Sequence, residues 1–299
     1  MIINELYQVT SPRHTFRYNQ VPIMERKSKN WRLLRHPPAG GAWNMAVDEA
    51  LLESVAKGAS LPILRLYAWE PACLSLGQAQ PAADVDRERL AGHGWELVRR
   101  PTGGRAILHT DELTYAVIAP VDEPHVRGTL LESYLAISHA LVKALEILGL
   151  EVAARDDPQA SQAARSRNPV CFEEPSSYEI LFAGKKIIGS AQARRGNTFL
   201  QHGALPLTGD LTRITHALAF EDEVARQRAA ATLLARATTV EAALGRQSSW
   251  GKAADAFATG FSQALGLVFQ EIDLSTDESR RAETIMREKF AGAAWTLRI

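Results

Sequence analysis

The chain has 299 residues, 46% of them hydrophobic and 23% charged, which suits a globular protein able to bury a sizeable core. Lysine plus arginine equals aspartate plus glutamate at 34 each, so no global basicity points to nucleic acid. No apolar run reaches membrane-spanning length, and two cysteines, Cys73 and Cys171, build neither a disulfide framework nor a CxxC zinc site, which suggests a reducing cytoplasm.

Residues 1–30 carry no signal-peptide core and read as a flexible leader, with Met24 an alternative start; residues 31–299 read as one domain with a helical C-terminal portion. "NWRLLRHPP" predicts a short strand ended by prolines. "GGAWNMAVDEALLESVAKGAS" predicts an amphipathic helix that stops near Gly58, with Asp48 and Glu49 early in it, opposing its dipole. "LPILRLYAW", "ACLSLGQ", "GWELVRR", "AILH" and "LTYAVIAP" predict strands. With no crossover helix evident between them, they predict a largely antiparallel sheet.

"TLLESYLAISHALVKALEILGL" predicts the clearest helix, with an apolar stripe through Leu130, Tyr134, Ile137, Leu141, Leu145 and Leu148 and Gly149 at its end. The polar stretch "EVAARDDPQASQAARSRNPV" predicts a long loop that leads to Cys171. "YEILFAGKKIIGSAQARRGNTFLQHGALPL" predicts a three-strand meander with turns at Ala183-Gly184 and Arg195-Gly196-Asn197. The remainder reads as helices, with a short strand in "LVFQEIDL". The fold class is therefore α+β: mainly antiparallel sheet flanked by helices.

Three groups of residues are suited to chemistry. In "RRPTGGRAILH", Gly103 and Gly104 let a ligand approach the backbone, and Arg99, Arg100 and Arg105 around them suit an acidic or phosphate-bearing group; a hairpin turn with solvated arginines fits equally well. Cys171 precedes Lys186 by fifteen residues, and a nearby ammonium would favour the nucleophilic thiolate. Free cysteines are more often packing residues, the natural reading for Cys73 between Ala72 and Leu74; polar company and the preceding loop set Cys171 apart. In "GSAQARRGNTFLQHG", Gly189, Ser190 and Ala191 leave room within a strand for a ligand or a bulge. His202 reads as structural, because no carboxylate partner is visible in the sequence.

"WNMAVDEALL", "PACLSLGQAQ", "RRPTGGRAILHTDELTYAV", "CFEEPSSYEI", "GKKIIGSAQARR" and "LQHGALPL", in this order, resemble the biotin/lipoate protein ligase and transferase superfamily, and within it the octanoyltransferases. The resemblance runs from about Trp31 to "ESRRAETIMREKFAGAAWTLR". It implies the fold of that superfamily's catalytic domain and transfer of octanoyl from acyl carrier protein to a lysine of the glycine-cleavage H protein or another lipoyl domain. It assigns Cys171 as the acyl-thioester nucleophile and Lys186 as the group that lowers its pKa and contacts the acyl carbonyl. It places Arg100, Gly103, Gly104, His109, Gly189, Ser190 and Ala191 along the acyl pocket. No cofactor, metal, nucleic acid or membrane is expected, and the enzyme is expected to be a cytoplasmic monomer. Sibling ligases carry three glycines where this chain has Gly103-Gly104-Arg105, and they lack the cysteine; both differences turn the expectation away from ATP-dependent ligation. A lipoate ligase, an amidotransferase acting between H protein and lipoyl domains, and an inert binder of the same fold are the alternatives.

Overall fold

The computed structural model describes residues 29–156 and 178–299. Strand β1 (Asn30–Arg35) leads through helix α1 (Gly41–Ala56) to β2 (Ile63–Tyr67). A second strand pair, β3 (Cys73–Leu76) and β4 (Glu96–Arg99), is joined by the short helix α2 (Arg87–Gly92). Strands β5 (Ile107–His109) and β6 (Glu112–Pro120) precede the long helix α3 (Leu130–Leu148). Strand β7 (Ala153–Asp156) follows, within the stretch read from sequence as a loop. Then come β8 (Tyr178–Phe182), β9 (Lys185–Arg195) and β10 (Thr198–Pro206), the meander. The C-terminal part holds α4 (Glu223–Arg236), α5 (Val240–Leu244), α6 (Trp250–Leu265), β11 (Val268–Glu271), α7 (Thr276–Ile285) and α8 (Ala293–Thr296).

Eight strands form one sheet in the order β11-β1-β2-β6-β10-β9-β8-β7, and three form another in the order β4-β3-β5. Most pairs are antiparallel, but β1 runs parallel to β2 and β11, and β3 runs parallel to β4. Parallel neighbours need a crossover connection; α1 and α2 supply it for β1–β2 and β3–β4. Helix α2 is one short turn-and-a-half whose only local signal is its cap, Asp86 accepting from the Arg89 N–H at 3.0 Å, which is why periodicity misses it.

Helix α3 starts in a capping box of Thr129 and Glu132 and ends at Gly149 with φ 95°. It packs with α6 on one face of the large sheet, where Ile137, Leu141 and Leu145 meet Tyr115, Phe199, Phe257 and Phe261. Leu130, at the start of the predicted stripe, is exposed. On the opposite face, α1 and α7 cover Ala116, Ile118 and Leu200 with Met45, Leu51 and Ile285. The small sheet lies beside α1, whose Gly41 backbone sits against Cys73 and Val98 and donates its N–H to Glu96 at 2.6 Å.

The α3–α6 contact depends on Gly260: a Cβ there would sit 2.6 Å from the Ala144 backbone nitrogen. Gly260→Val should therefore cost about 1–3 kcal/mol by overpacking, measured as a lower denaturation midpoint at unchanged m-value. An unchanged midpoint would show that the two helices can separate without loss.

Candidate active site

A narrow cleft opens between the two sheets beneath the start of α1. The large sheet contributes Tyr67, Thr114, Gly189, Ser190, Ala191, His202, Gly203 and Ala204; the small sheet contributes Ser75, Ile107 and His109. Met45 of α1, Trp69, Arg100 and Gly104 complete the lining. Small residues keep it open. At Gly203 a Cβ would fall 2.5 Å from the Gly189 carbonyl oxygen and 2.6 Å from the Tyr115 ring, so only glycine lets β9, β10 and Tyr115 approach this closely. Of the residues assigned to the pocket from sequence, Arg100, Gly104, His109, Gly189, Ser190 and Ala191 line the cleft. Gly103 does not: a side chain there would meet open space.

Two of the three arginines around the glycine pair, Arg99 and Arg100, are turned inward and spend their donors on backbone carbonyls. Arg100 is 3% exposed and donates to the carbonyls of Ser75 (2.9 Å), Gly103 (2.8 Å) and Arg105 (2.7 Å). Arg99 is fully buried and donates to the carbonyls of Gly77 (2.8 Å), Gln80 (2.6 Å) and Thr296 (3.0 Å). Guanidinium groups with several fixed donors are suited to collecting carbonyls from separate segments. Here they staple the loop to β3 and to the C-terminal segment. Gly104 has φ +87°, and its carbonyl packs on Gly77 where a side chain would stand.

Both histidines of the cleft carry a hydroxyl on one ring nitrogen and a carboxylate on the other. His109 Nε2 lies 2.8 Å from Ser75 Oγ and its Nδ1 lies 2.6 Å from Glu112. Its ring stacks on Trp69 with centroids 3.9 Å apart and planes at 9°. Trp69 donates to Thr114 Oγ1 at 2.8 Å, and Thr114 donates to Glu112. His202 Nε2 lies 2.6 Å from Thr102 Oγ1 and its Nδ1 lies 3.3 Å from Asp48. The sequence reading missed that carboxylate: Asp48 is fully buried and lies in the middle of α1, not in the first turn where it would oppose the helix dipole. Glu49, likewise, pairs with Arg195 (3.1 Å) and Lys289 (2.5 Å).

Asp48 is ion-paired with Arg65 at 2.7 Å and accepts from the Tyr67 hydroxyl at 3.1 Å. Burial opposes its charge, but Arg65 and His202 hold its carboxyl below the usual range. Burial depresses the pKa of His202, against the pull of Asp48. Asp48, Ser75 and Glu112 lie within the quoted motifs and Arg65 and Trp69 outside them, but none of the five shows its partner in the local pattern.

Lys186 lies outside the cleft lining. It is 5% exposed, with Nζ 3.0 Å from Glu179 Oε1. A register shift between the pairs Ile180–Ile188 and Leu181–Lys186 leaves Ile187 as an extra residue, and such a bulge re-aims the flanking side chains. Lys185 instead donates to the Leu234 carbonyl at 2.6 Å. Cys171 lies outside the described residues, so the distance from its thiol to Lys186 stays an expectation. Cys73 is fully buried in the core, where burial raises its thiol pKa well above the ordinary value, in keeping with a packing role.

Arg65 also donates from Nε to His36 Nδ1 at 2.9 Å, and burial followed by that guanidinium pushes the His36 pKa from 6.5 down to about 4. The folded state therefore resists a proton that the unfolded chain accepts, so this contribution is complete above pH 6.5 and is lost as pH falls toward about 4. Between about pH 7 and pH 5, the native chain should lose about 2 kcal/mol more stability than His36→Gln, read from urea unfolding at both pH values. Parallel losses in the two proteins would place the titration elsewhere.

Comparison with known proteins adds the relationship. The model of the lipoyl protein ligase A/B catalytic domain matches residues 41–262. Octanoyltransferase LipM of Carboxydothermus hydrogenoformans is 38% identical over 271 residues, covering 90% of this chain and 99% of the relative. LipM of Kyrpidia tusciae is 38% identical over 273 residues, with 90% and 99% covered. Among solved structures, the bipartite lipoate protein ligase system of Thermoplasma acidophilum superposes with a TM-score of 0.74 at 26% identity, covering 90% of this chain and 96% of that one. Lipoate-protein ligase A bound with ATP superposes with a TM-score of 0.72 at 25% identity, covering 90% and 98%. With a family model over most of its length and LipM relatives aligned nearly end to end, the chain belongs to the lipoyl protein ligase A/B catalytic-domain family.

Proposed function

We propose that this chain is an octanoyltransferase of protein lipoylation that works through a thioester on Cys171, without ATP. One observation carries the reading of the cleft. Its floor, Gly189, Ala191, Gly203 and Ala204, is stripped of bulky side chains while Met45, Tyr67, Trp69 and Ile107 surround it, which suits a slender apolar acyl chain. Residues 31–299 are read as the catalytic domain, located in the cytoplasm. Among the described residues no helix is long and apolar enough to cross a membrane.

The donor is octanoyl acyl carrier protein, and the acceptor is a lysine of the glycine-cleavage H protein or another lipoyl domain. The Cys171 thiolate attacks the donor thioester, forming a new C–S bond and releasing the carrier thiol. One thioester replaces another, so this step needs no nucleotide. The acceptor lysine, once deprotonated, then attacks the acyl-enzyme; a C–N bond forms, the C–S bond breaks and an amide results. Splitting the transfer in this way predicts ping-pong kinetics. Lys186 is proposed to favour the thiolate and to stabilise the oxyanion of both steps. Its partner Glu179 is eight positions after Cys171 in sequence and holds the lysine at the start of β9.

Arg99 and Arg100 are buried, so any steering of acidic partner proteins falls to Arg105, to the exposed Arg195 and to its neighbour Arg194. Arg194→Glu should slow transfer from the carrier protein at low salt and less at high salt.

Incubation with octanoyl acyl carrier protein should add one octanoyl group by intact mass, removable by hydroxylamine and absent in Cys171→Ser. Lys186→Ala should slow formation of that adduct about 100-fold, the scale of losing one oxyanion donor. Lys185→Ala, which removes only a contact to the Leu234 carbonyl, should slow it far less. Product formed from free octanoate and ATP, with no adduct from the carrier protein, would overturn the proposal in favour of a ligase.

A further inference from the structure

The acyl-transfer scheme leaves one proton without a destination: the acceptor lysine arrives as an ammonium and must lose it before attacking. Two imidazoles line the cleft, and their surroundings differ. Asp48, behind His202, is already ion-paired with Arg65 at 2.7 Å. Glu112, behind His109, accepts from His109 and from Thr114, and no arginine or lysine among the described residues bonds it. A carboxylate whose charge is uncompensated stabilises an imidazolium better than one that already faces a guanidinium.

Position separates them as well. Strand β6 begins at Glu112, which pairs with Pro206 at the end of β10, and β9 enters the sheet at Lys185. The His109–Glu112 pair therefore sits at the Lys186 end of the sheet. His202 pairs with Ala191, further along β9. Trp69, which lines the cleft, also borders a wider surface groove together with Glu112, Thr110 and Trp250.

We propose that Ser75, His109 and Glu112 form the relay that deprotonates the acceptor lysine, a proposal that rests on the acyl-transfer reading above. With Nδ1–H donated to Glu112, His109 Nε2 is left as an acceptor for the Ser75 hydroxyl at 2.8 Å. Arg100 Nη1 donates to Ser75 Oγ at 3.1 Å, which leaves one lone pair for the incoming amine and stabilises the oxygen as its proton departs. The ammonium proton passes to Ser75 Oγ while the Ser75 proton passes to His109 Nε2, giving an imidazolium held by Glu112. The neutral amine forms the C–N bond, the C–S bond breaks, and the second nitrogen-bound proton goes to the leaving thiolate. His109 then returns its proton to solvent. Ser75 is the group that touches substrate; His109 and Glu112 act through it.

The test compares two nucleophiles on the same acyl-enzyme. Octanoylated enzyme, prepared from the carrier protein, is mixed either with a lipoyl-domain acceptor or with hydroxylamine, which is uncharged at neutral pH and needs no base. In His109→Gln, the ratio of lysine transfer to hydroxylamine cleavage should fall about 100-fold, the scale of general-base catalysis. Ser75→Ala should lower the same ratio, Glu112→Gln should lower it less, and His202→Asn should change both rates together. If His109→Gln fails to acquire the octanoyl group, Ser75→Ala, which removes only a hydroxyl, decides the question. A ratio that stays at the native value in these variants overturns the relay while leaving the Cys171 chemistry standing. Absence of an adduct on the native chain overturns both.

Discussion

A fully buried ion pair between Asp48 of α1 and Arg65 of β2 ties together most of what surrounds the cleft. Two charges removed from water are tolerable only when every donor finds a partner. Arg65 meets that condition by reaching the Asn44 carbonyl (3.0 Å), the Asn44 side chain (2.8 Å) and His36 (2.9 Å), as well as Asp48. The guanidinium also lies 3.8 Å over the Tyr67 ring. The angle at which α1 crosses the sheet is thereby fixed. That placement puts Met45 in the cleft lining, Gly41 against Cys73, and the second Asp48 oxygen beside His202.

Buried arginines also organise the other wall. Arg99 and Arg100 sit side by side in sequence and serve separate structural ends: one gathers the 77–80 turn and the C-terminal segment, the other gathers β3 and the glycine loop. The loop that looks built to receive an anion is held by cations facing its own carbonyls. Its backbone is therefore rigid before any ligand arrives, which lowers the cost of ordering it on binding. The glycines then have distinct duties. Gly104 supplies a left-handed turn, Gly77 allows the close approach of its carbonyl, and Gly103 stands at an open position.

Two hydroxyl–imidazole–carboxylate arrangements on one cleft look redundant until their electrostatics are compared. One carboxylate already holds an arginine, so its histidine serves as a hydrogen-bonded post between the glycine loop and α1. The other carboxylate, among the described residues, faces hydroxyl and imidazole donors and no guanidinium or ammonium. Similar geometry thus supports different duties, and the neighbouring charge decides which.

The sequence by itself determined the elements whose signals are local. The long amphipathic helix with Gly149 at its end, the meander with turns at Ala183-Gly184 and Gly196, and the small residues at Gly189–Ala191 are legible because periodicity, positive φ and missing bulk act over a few neighbouring positions. The ordered motifs were enough to identify the family. Only the tertiary structure decided the parallel pairs, the second sheet, the inward aim of Arg99 and Arg100, the carboxylate partners of both histidines and the pairing of Lys186 with Glu179. Apart from His109 and Glu112, three positions apart across a turn, those are contacts between residues far apart in sequence or between strands whose register no local pattern encodes. Burial then settles their chemistry, because a buried donor or charge must find its partner wherever the fold brings one.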